Sequence, residues 1–107
     1  MTRSIKELIK QRRSQMLIHS YLYYGIDSPI ISDYQWQEWA NDLEHLQKEY
    51  PEACKIGWYD KIFSDWSGTT GCHLPMDDPW VIRKAKQLLD YETRITTNKS
   101  ITQQGLV

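Results

Sequence analysis

The sequence predicts an all-α fold: an N-terminal antiparallel helical hairpin, an irregular aromatic-rich loop, and a third helix packed on the hairpin. Three observations carry this prediction. Ser4-Ile5-Lys6-Glu7 and Ser32-Asp33-Tyr34-Gln35 both have the capping-box form, a hydroxyl at the N-cap and an acid or amide three residues on. Apolar residues recur at three- and four-residue steps after each box. Asp78-Pro79 places a capping carboxylate before a proline at the first helical position, where no amide is needed.

The first helix is expected over about residues 4–24, on the stripe Ile5, Leu8, Ile9, Met16 and Tyr23, widened by Leu17, Tyr21 and Tyr24. Gly25 is expected to take the left-handed conformation that closes it, and Asp27-Ser28-Pro29 is a turn signal. The second helix is expected over about 33–50, on Trp36, Trp39, Ala40, Leu43, Leu46 and Tyr50, with Pro51 at its end. A short connection makes the two helices antiparallel neighbours. Residues 51–78 lose periodicity but keep Trp58, Tyr59, Phe63, Trp66 and Leu74. They read as a loop pinned by its rings, with one helical turn near Tyr59–Phe63. The third helix is expected over about 79–92, on Val81, Ala85, Leu88 and Leu89. Residues 93–107, rich in Thr, Gln, Asn and Ser, read as a frayed polar tail, so that 1–92 forms a single helical domain.

The chain has 107 residues and a formal net charge of −1. That balance offers no global electrostatic basis for binding nucleic acid or a membrane surface. Arg3, Lys6, Lys10, Arg12 and Arg13 make the first helix basic, while Asp33, Glu38, Asp42, Glu44 and Glu49 make the second acidic. These flanks suit an antiparallel pair, although exposed pairs contribute only about 0–1 kcal/mol each. No apolar run approaches a membrane span, and no signal-peptide pattern is apparent. The expected location is cytoplasmic, with Cys54 and Cys72 as free thiols. The five Trp and seven Tyr against one Phe suit a binding surface, but core packing in a small domain explains the same bias and is the preferred reading.

Catalytic signals are missing. No K-x-D-G adenylation motif occurs. Ser67-Gly68-Thr69-Thr70-Gly71 lacks the G-K-[ST] ending of a phosphate loop and reads as a turn. Cys54, Cys72, His45 and His73 match no zinc spacing, so no metal is expected. The chain is read as a non-enzyme.

The stretch Tyr21–Glu52, "YLYYGIDSPIISDYQWQEWANDLEHLQKEYPE", resembles the N-terminal Ia domain of bacterial NAD-dependent DNA ligases without a gap. The second half, with "DWSGTTGCHLP" and "DPWVIRKAKQLL", resembles small phage-borne ligase-related proteins instead. The first resemblance implies a hairpin that clamps the nicotinamide mononucleotide half of NAD. Tyr23 stands at the position of the ring that stacks on nicotinamide, Tyr24 at the neighbouring His or Tyr, and Asp33 at the acid opening the second helix. The family's later Tyr-Asp pair is replaced by Trp36-Gln37, so a stacking ring is kept and a carboxylate becomes an amide. His19, one turn before Tyr23, is either a partner of these rings or a half-exposed histidine. Asp33 is either a ligand-facing acid or the cap of the second helix.

Two functions follow as expectations. The first is a non-catalytic interaction module, phage or mobile-element encoded. It would bind a host replication or defence protein through Trp58, Tyr59, Trp66 and Trp39. The second is an accessory protein that holds nicotinamide mononucleotide or NAD through Tyr23, Tyr24, Asp33, Trp36, Gln37 and His19. Direct DNA binding through Arg3–Arg13 is a weaker third.

Overall fold

The computed structural model describes residues 4–67 and 74–105. The phosphate-loop reading of residues 67–71 falls almost entirely outside these residues, and Cys72 and His73 lie outside them. The described residues are all-helical: α1 (Ile5–Ser20) runs into a π turn (Tyr21–Gly25), followed by α2 (Asp33–Glu49), a 3-10 turn (Pro51–Cys54) and α3 (Pro79–Gly105). None of these helices is long and apolar enough to cross a membrane.

Each helix starts where its cap predicts. Ser4 Oγ accepts from the Glu7 amide at 3.2 Å and Ser32 Oγ accepts from the Gln35 amide at 3.0 Å. Asp78 Oδ1 accepts from the amides of Trp80 and Val81 at 2.9 and 3.1 Å. Each bond satisfies a donor that the first helical turn leaves free.

The two hairpin helices are antiparallel, as three cross-links show. Ser20 near the end of α1 meets Trp36 near the start of α2, while Arg12 and Arg13 in the middle of α1 meet Asp42 and Gln47 further along α2. The Arg12 Nε to Asp42 Oδ2 contact, at 2.7 Å, realises the basic-to-acidic pairing.

The end of α1 departs from expectation. After Ser20 the backbone widens, and the Ile26 amide bonds to the Tyr21 carbonyl at 3.2 Å, five residues back. This rotates the following side chains relative to the α-helical stripe. Tyr21 and Leu22 turn inward and are buried, whereas Tyr23 and Tyr24 are 44% and 46% exposed. Gly25 does not take the left-handed conformation, which falls to Asp27 at φ 51°. Gly25 serves close approach instead: a Cβ there would lie 3.1 Å from the Tyr21 ring and 3.3 Å from Met76 Sδ.

The core gathers Ile9, Met16, Leu17, Tyr21 and Leu22 from the first arm and Ala40, Leu43 and Leu46 from α2. The loop adds Phe63, Trp66 and Leu74, and α3 adds Val81 and Ala85. Tyr50, expected on the α2 stripe, follows the last helical residue and is exposed. α3 packs on α1 and on the π turn. It continues past the expected end near residue 92 to Gly105, so residues 93–105 are helical. The chain between Pro79 and Gly105 contains neither proline nor glycine to interrupt the hydrogen-bond ladder.

The loop is held by one buried cation. Arg13 is 1% exposed, and its guanidinium donates to Gln47 Oε1, Cys54 O, Trp58 O and Asp60 Oδ1 at 2.7–3.0 Å. Asp60 in turn accepts from the amides of Ile56, Gly57 and Trp58. Desolvation acts to raise the Asp60 pKa, but these amides and Arg13 outweigh it and hold the carboxyl below its ordinary value. The expected helical turn is present, the Phe63 amide bonding to the Tyr59 carbonyl at 3.2 Å.

Candidate functional site

The π turn, the connection to α2 and the first turn of α2 enclose an open cleft of about 170 Å³. It is lined by His19, Tyr23, Tyr24, Asp33, Trp36 and Gln37 together with Pro29, Ile31 and Ser32. All six residues singled out in the sequence as ligand-binding are therefore brought together. Among the described residues, no aromatic ring of the loop or of α3 lines the cleft. Its volume sits below the ~300–1,000 Å³ of a site that swallows a drug-sized molecule, and suits one planar ring with the remainder outside.

Each wall has a local cause. The π turn turns two successive tyrosines outward, and their rings meet edge to face with centroids 4.8 Å apart. Trp36 is half-buried and fixed at both ends. Its Nε1 donates to Ser20 Oγ at 3.1 Å, and Trp66 stands behind it with centroids 6.3 Å apart. Ser20, fully buried at the end of α1, was not singled out in the sequence. Its signal was a small hydroxyl inside an otherwise apolar stripe. Asp33 opens α2, but Ser32 performs the capping, which leaves the Asp33 side chain exposed along the cleft. Gln37 is exposed on the next turn, its Nε2 donating to Asn41 Oδ1 at 3.0 Å.

His19 is not the half-exposed residue of the alternative reading. It is 7% exposed, and its ring packs against Trp39 with centroids 5.4 Å apart. Burial pulls its pKa down to about 4, so the imidazole is neutral near pH 7. Among the described residues, Asp33 is thus the charged side chain of the lining, which favours a cationic or neutral aromatic guest over an anionic one.

The expected docking rings are placed differently. Trp66 is a core residue, 5% exposed, with its Nε1 donating to the Ala40 carbonyl at 2.9 Å. It cannot anchor a partner, because its indole is already enclosed between Phe63 and Trp36. Trp58, Tyr59 and Trp39 are half-buried. Trp58 lies edge-to-face with Tyr59 and Trp80, at 5.1 and 4.9 Å, and Lys10 Nζ sits 4.7 Å from the Trp58 ring. The Tyr59 hydroxyl donates to Asp78 at 3.0 Å, and burial together with that bond pushes its pKa up to about 12. The Trp58 and Tyr59 rings fasten the loop to α1 and to the start of α3.

The described residues thus form an antiparallel helical hairpin with an aromatic and acidic cleft at its turn. Residues 2–56, just over half of the chain, match the family model described as DNA ligase-like, N-terminal NAD+-binding domain, and the chain belongs to that family. It is 43% identical over 47 residues to the DNA ligase of Thermoanaerobacter sp. (strain X514), covering 44% of this chain and 7% of the relative. It is 39% identical over 49 residues to that of Bacteroides fragilis, covering 46% and 7%. With the ligase of Brachyspira hyodysenteriae it shares 38% identity over 50 residues, covering 47% and 8%. The chain thus spans less than a tenth of the length of these curated relatives. No solved structure matches it.

Proposed function

We propose that this chain binds the nicotinamide mononucleotide half of NAD in the cleft, as a binding module without chemistry of its own. The supporting observation is the convergence of Tyr23, Tyr24, Trp36 and Asp33 on one open space of single-ring size. Aromatic faces attract a pyridinium by about 0.5–2 kcal/mol, and the Asp33 carboxylate adds a complementary charge. The family name, an NAD+-binding domain, agrees with this chemistry. The change of the expected Tyr-Asp pair to Trp36-Gln37 keeps a stacking ring but gives up one charge-assisted contact, so the affinity is expected to be modest. Titration calorimetry and tryptophan fluorescence with nicotinamide mononucleotide and NAD test the reading, because Trp36 borders the cleft. Silence in both at millimolar ligand removes it. Incubation with NAD and nicked duplex DNA is expected to give no adenylyl-protein adduct.

A protein-docking role is the second reading. It is favoured by Tyr23, Tyr24, Ile26 and Tyr34, large apolar residues exposed around the hairpin turn. In this reading a host replication or defence protein contacts the hairpin turn rather than the Trp58–Trp66 loop. Capture from host lysate that Tyr34→Ala and Tyr24→Ala leave unchanged would count against it.

A further inference from the structure

We propose that the cleft at the hairpin turn also receives the guanidinium of an arginine from a protein partner, so that partner and nucleotide compete for one space. The proposal rests on the docking reading above and names the anchor that the partner supplies.

Between Arg13 and Lys48 the sequence holds no Lys or Arg, but it holds the acids Asp27, Asp33, Glu38, Asp42 and Glu44. Two of these are matched within the molecule, Asp42 by Arg12 and Glu44 by Lys48. Asp27, Asp33 and Glu38 are exposed and form no ion pair among the described residues. The turn end of the hairpin is therefore negative, although the whole chain carries only −1. Such a surface draws in a basic segment and repels an acidic one.

The rings decide which cation fits. Tyr23, Tyr24 and Trp36 border the cleft together with the Asp33 carboxylate. Trp36 Nε1 is committed to Ser20 Oγ, so the indole offers the cleft apolar ring surface rather than a donor. A guanidinium is planar and weakly hydrated. It lies flat on an aromatic face while its N–H edge meets a carboxylate through two parallel bonds. An ammonium holds its water more tightly and has no flat face to stack. The space of about 170 Å³ suits a guanidinium with the end of its aliphatic stem. Ile26 and Tyr34, 37% and 79% exposed, stand on either side of the turn and give apolar contact to the residues flanking that arginine.

The probes are N-acetyl-arginine N-methylamide and its citrulline and lysine counterparts. Citrulline keeps the planar shape and removes the charge, and lysine keeps the charge and removes the plane. Nitrogen-15 NMR titration is expected to move the Trp36 indole and Asp33 amide resonances with the arginine probe. Arginine is expected to bind at least about tenfold more tightly than citrulline and several-fold more tightly than lysine. Asp33→Asn is expected to weaken arginine by about fivefold or more, and Trp36→Leu to weaken it independently. Saturating nicotinamide mononucleotide is expected to displace the arginine probe.

Citrulline or lysine binding as tightly as arginine overturns the proposal. So does an unmoved Trp36 indole at arginine on the order of tens of millimolar. Arginine binding that Asp33→Asn leaves unchanged overturns it without any appeal to the Trp36 variant. Simultaneous binding of arginine and nicotinamide mononucleotide overturns the competition. Loss of the arginine signal with nucleotide binding retained leaves the nucleotide reading intact. Silence toward nicotinamide mononucleotide removes that reading and the competition, while the arginine, citrulline and Asp33→Asn measurements still decide the anchor.

Discussion

Arg13 Nη1 lies 2.7 Å from Asp60 Oδ1, joining the middle of α1 to the aperiodic loop through a guanidinium that is 1% exposed. The same guanidinium donates to Cys54 O, Trp58 O and Gln47 Oε1, so one side chain from the hairpin organises the irregular backbone around residues 54–60. Gln47 completes the clamp by donating through Nε2 to the Phe63 carbonyl at 2.8 Å.

Arg13→Ala is expected to destabilise the protein by on the order of 3 kcal/mol, because it leaves several acceptors unpaired and Asp60 without its cation. Arg13→Lys is expected to recover only part of this, since an ammonium cannot reproduce the planar fork. Urea unfolding of the three proteins measures the difference. A loss below ~1 kcal/mol for Arg13→Ala would contradict the clamp.

Stability is expected to fall in acid. The folded-state pKa of His19 lies near 4, below its unfolded value of 6.5. The unfolded chain therefore binds more protons between those values. The associated stability is present above pH 6.5 and is lost as pH falls toward 4, by up to about 3 kcal/mol. Asp60, also lowered, contributes in the same direction in its own acidic range. Thermal melts between pH 7.5 and 4 should show this decline, and His19→Phe should flatten the portion above pH 4.

Trp66→Ala is expected to cost about 3–5 kcal/mol by opening the core. Trp66→Phe should be milder, while losing the Nε1 bond to Ala40 O and loosening the support behind Trp36. Nicotinamide mononucleotide affinity should therefore weaken in Trp66→Phe even though Trp66 lies outside the cleft lining. Unchanged affinity in a folded Trp66→Phe protein would show that Trp36 needs no such backing.

Asp33 and Ser32 are expected to separate binding from stability. Ser32→Ala removes the cap of α2 and should cost ~1 kcal/mol. Asp33→Asn removes a charge that lines the cleft. It should weaken nicotinamide mononucleotide several-fold while changing stability by no more than the ~0.3–1 kcal/mol of a first-turn charge. Equal binding by Asp33→Asn and the parent would detach Asp33 from ligand recognition.

Local sequence sufficed where the determining interaction is itself local. The capping residues Ser4, Ser32 and Asp78 act on amides two or three positions away, so helix starts were legible to within a residue. The spacing of Ala40, Leu43 and Leu46 gave the inward face of α2 by the same logic. The family resemblance carried the cleft residues, because Tyr23, Tyr24, Asp33 and Trp36 sit within one continuous match.

Sequence by itself thus determined an all-helical hairpin, its starting points, and the residues gathered at its turn. Only the tertiary structure decided which rings are free. The π turn moved Leu22 inward and Tyr23 outward, against the helical stripe. Trp66 and Trp58 look alike in an aperiodic loop, yet one is core and the other half-buried. Arg13 belonged to a basic stretch but became the buried clamp of the loop. The physical reason is common to all three. Burial and pairing of a side chain depend on groups far along the chain, and neither periodicity nor composition records which of them will arrive.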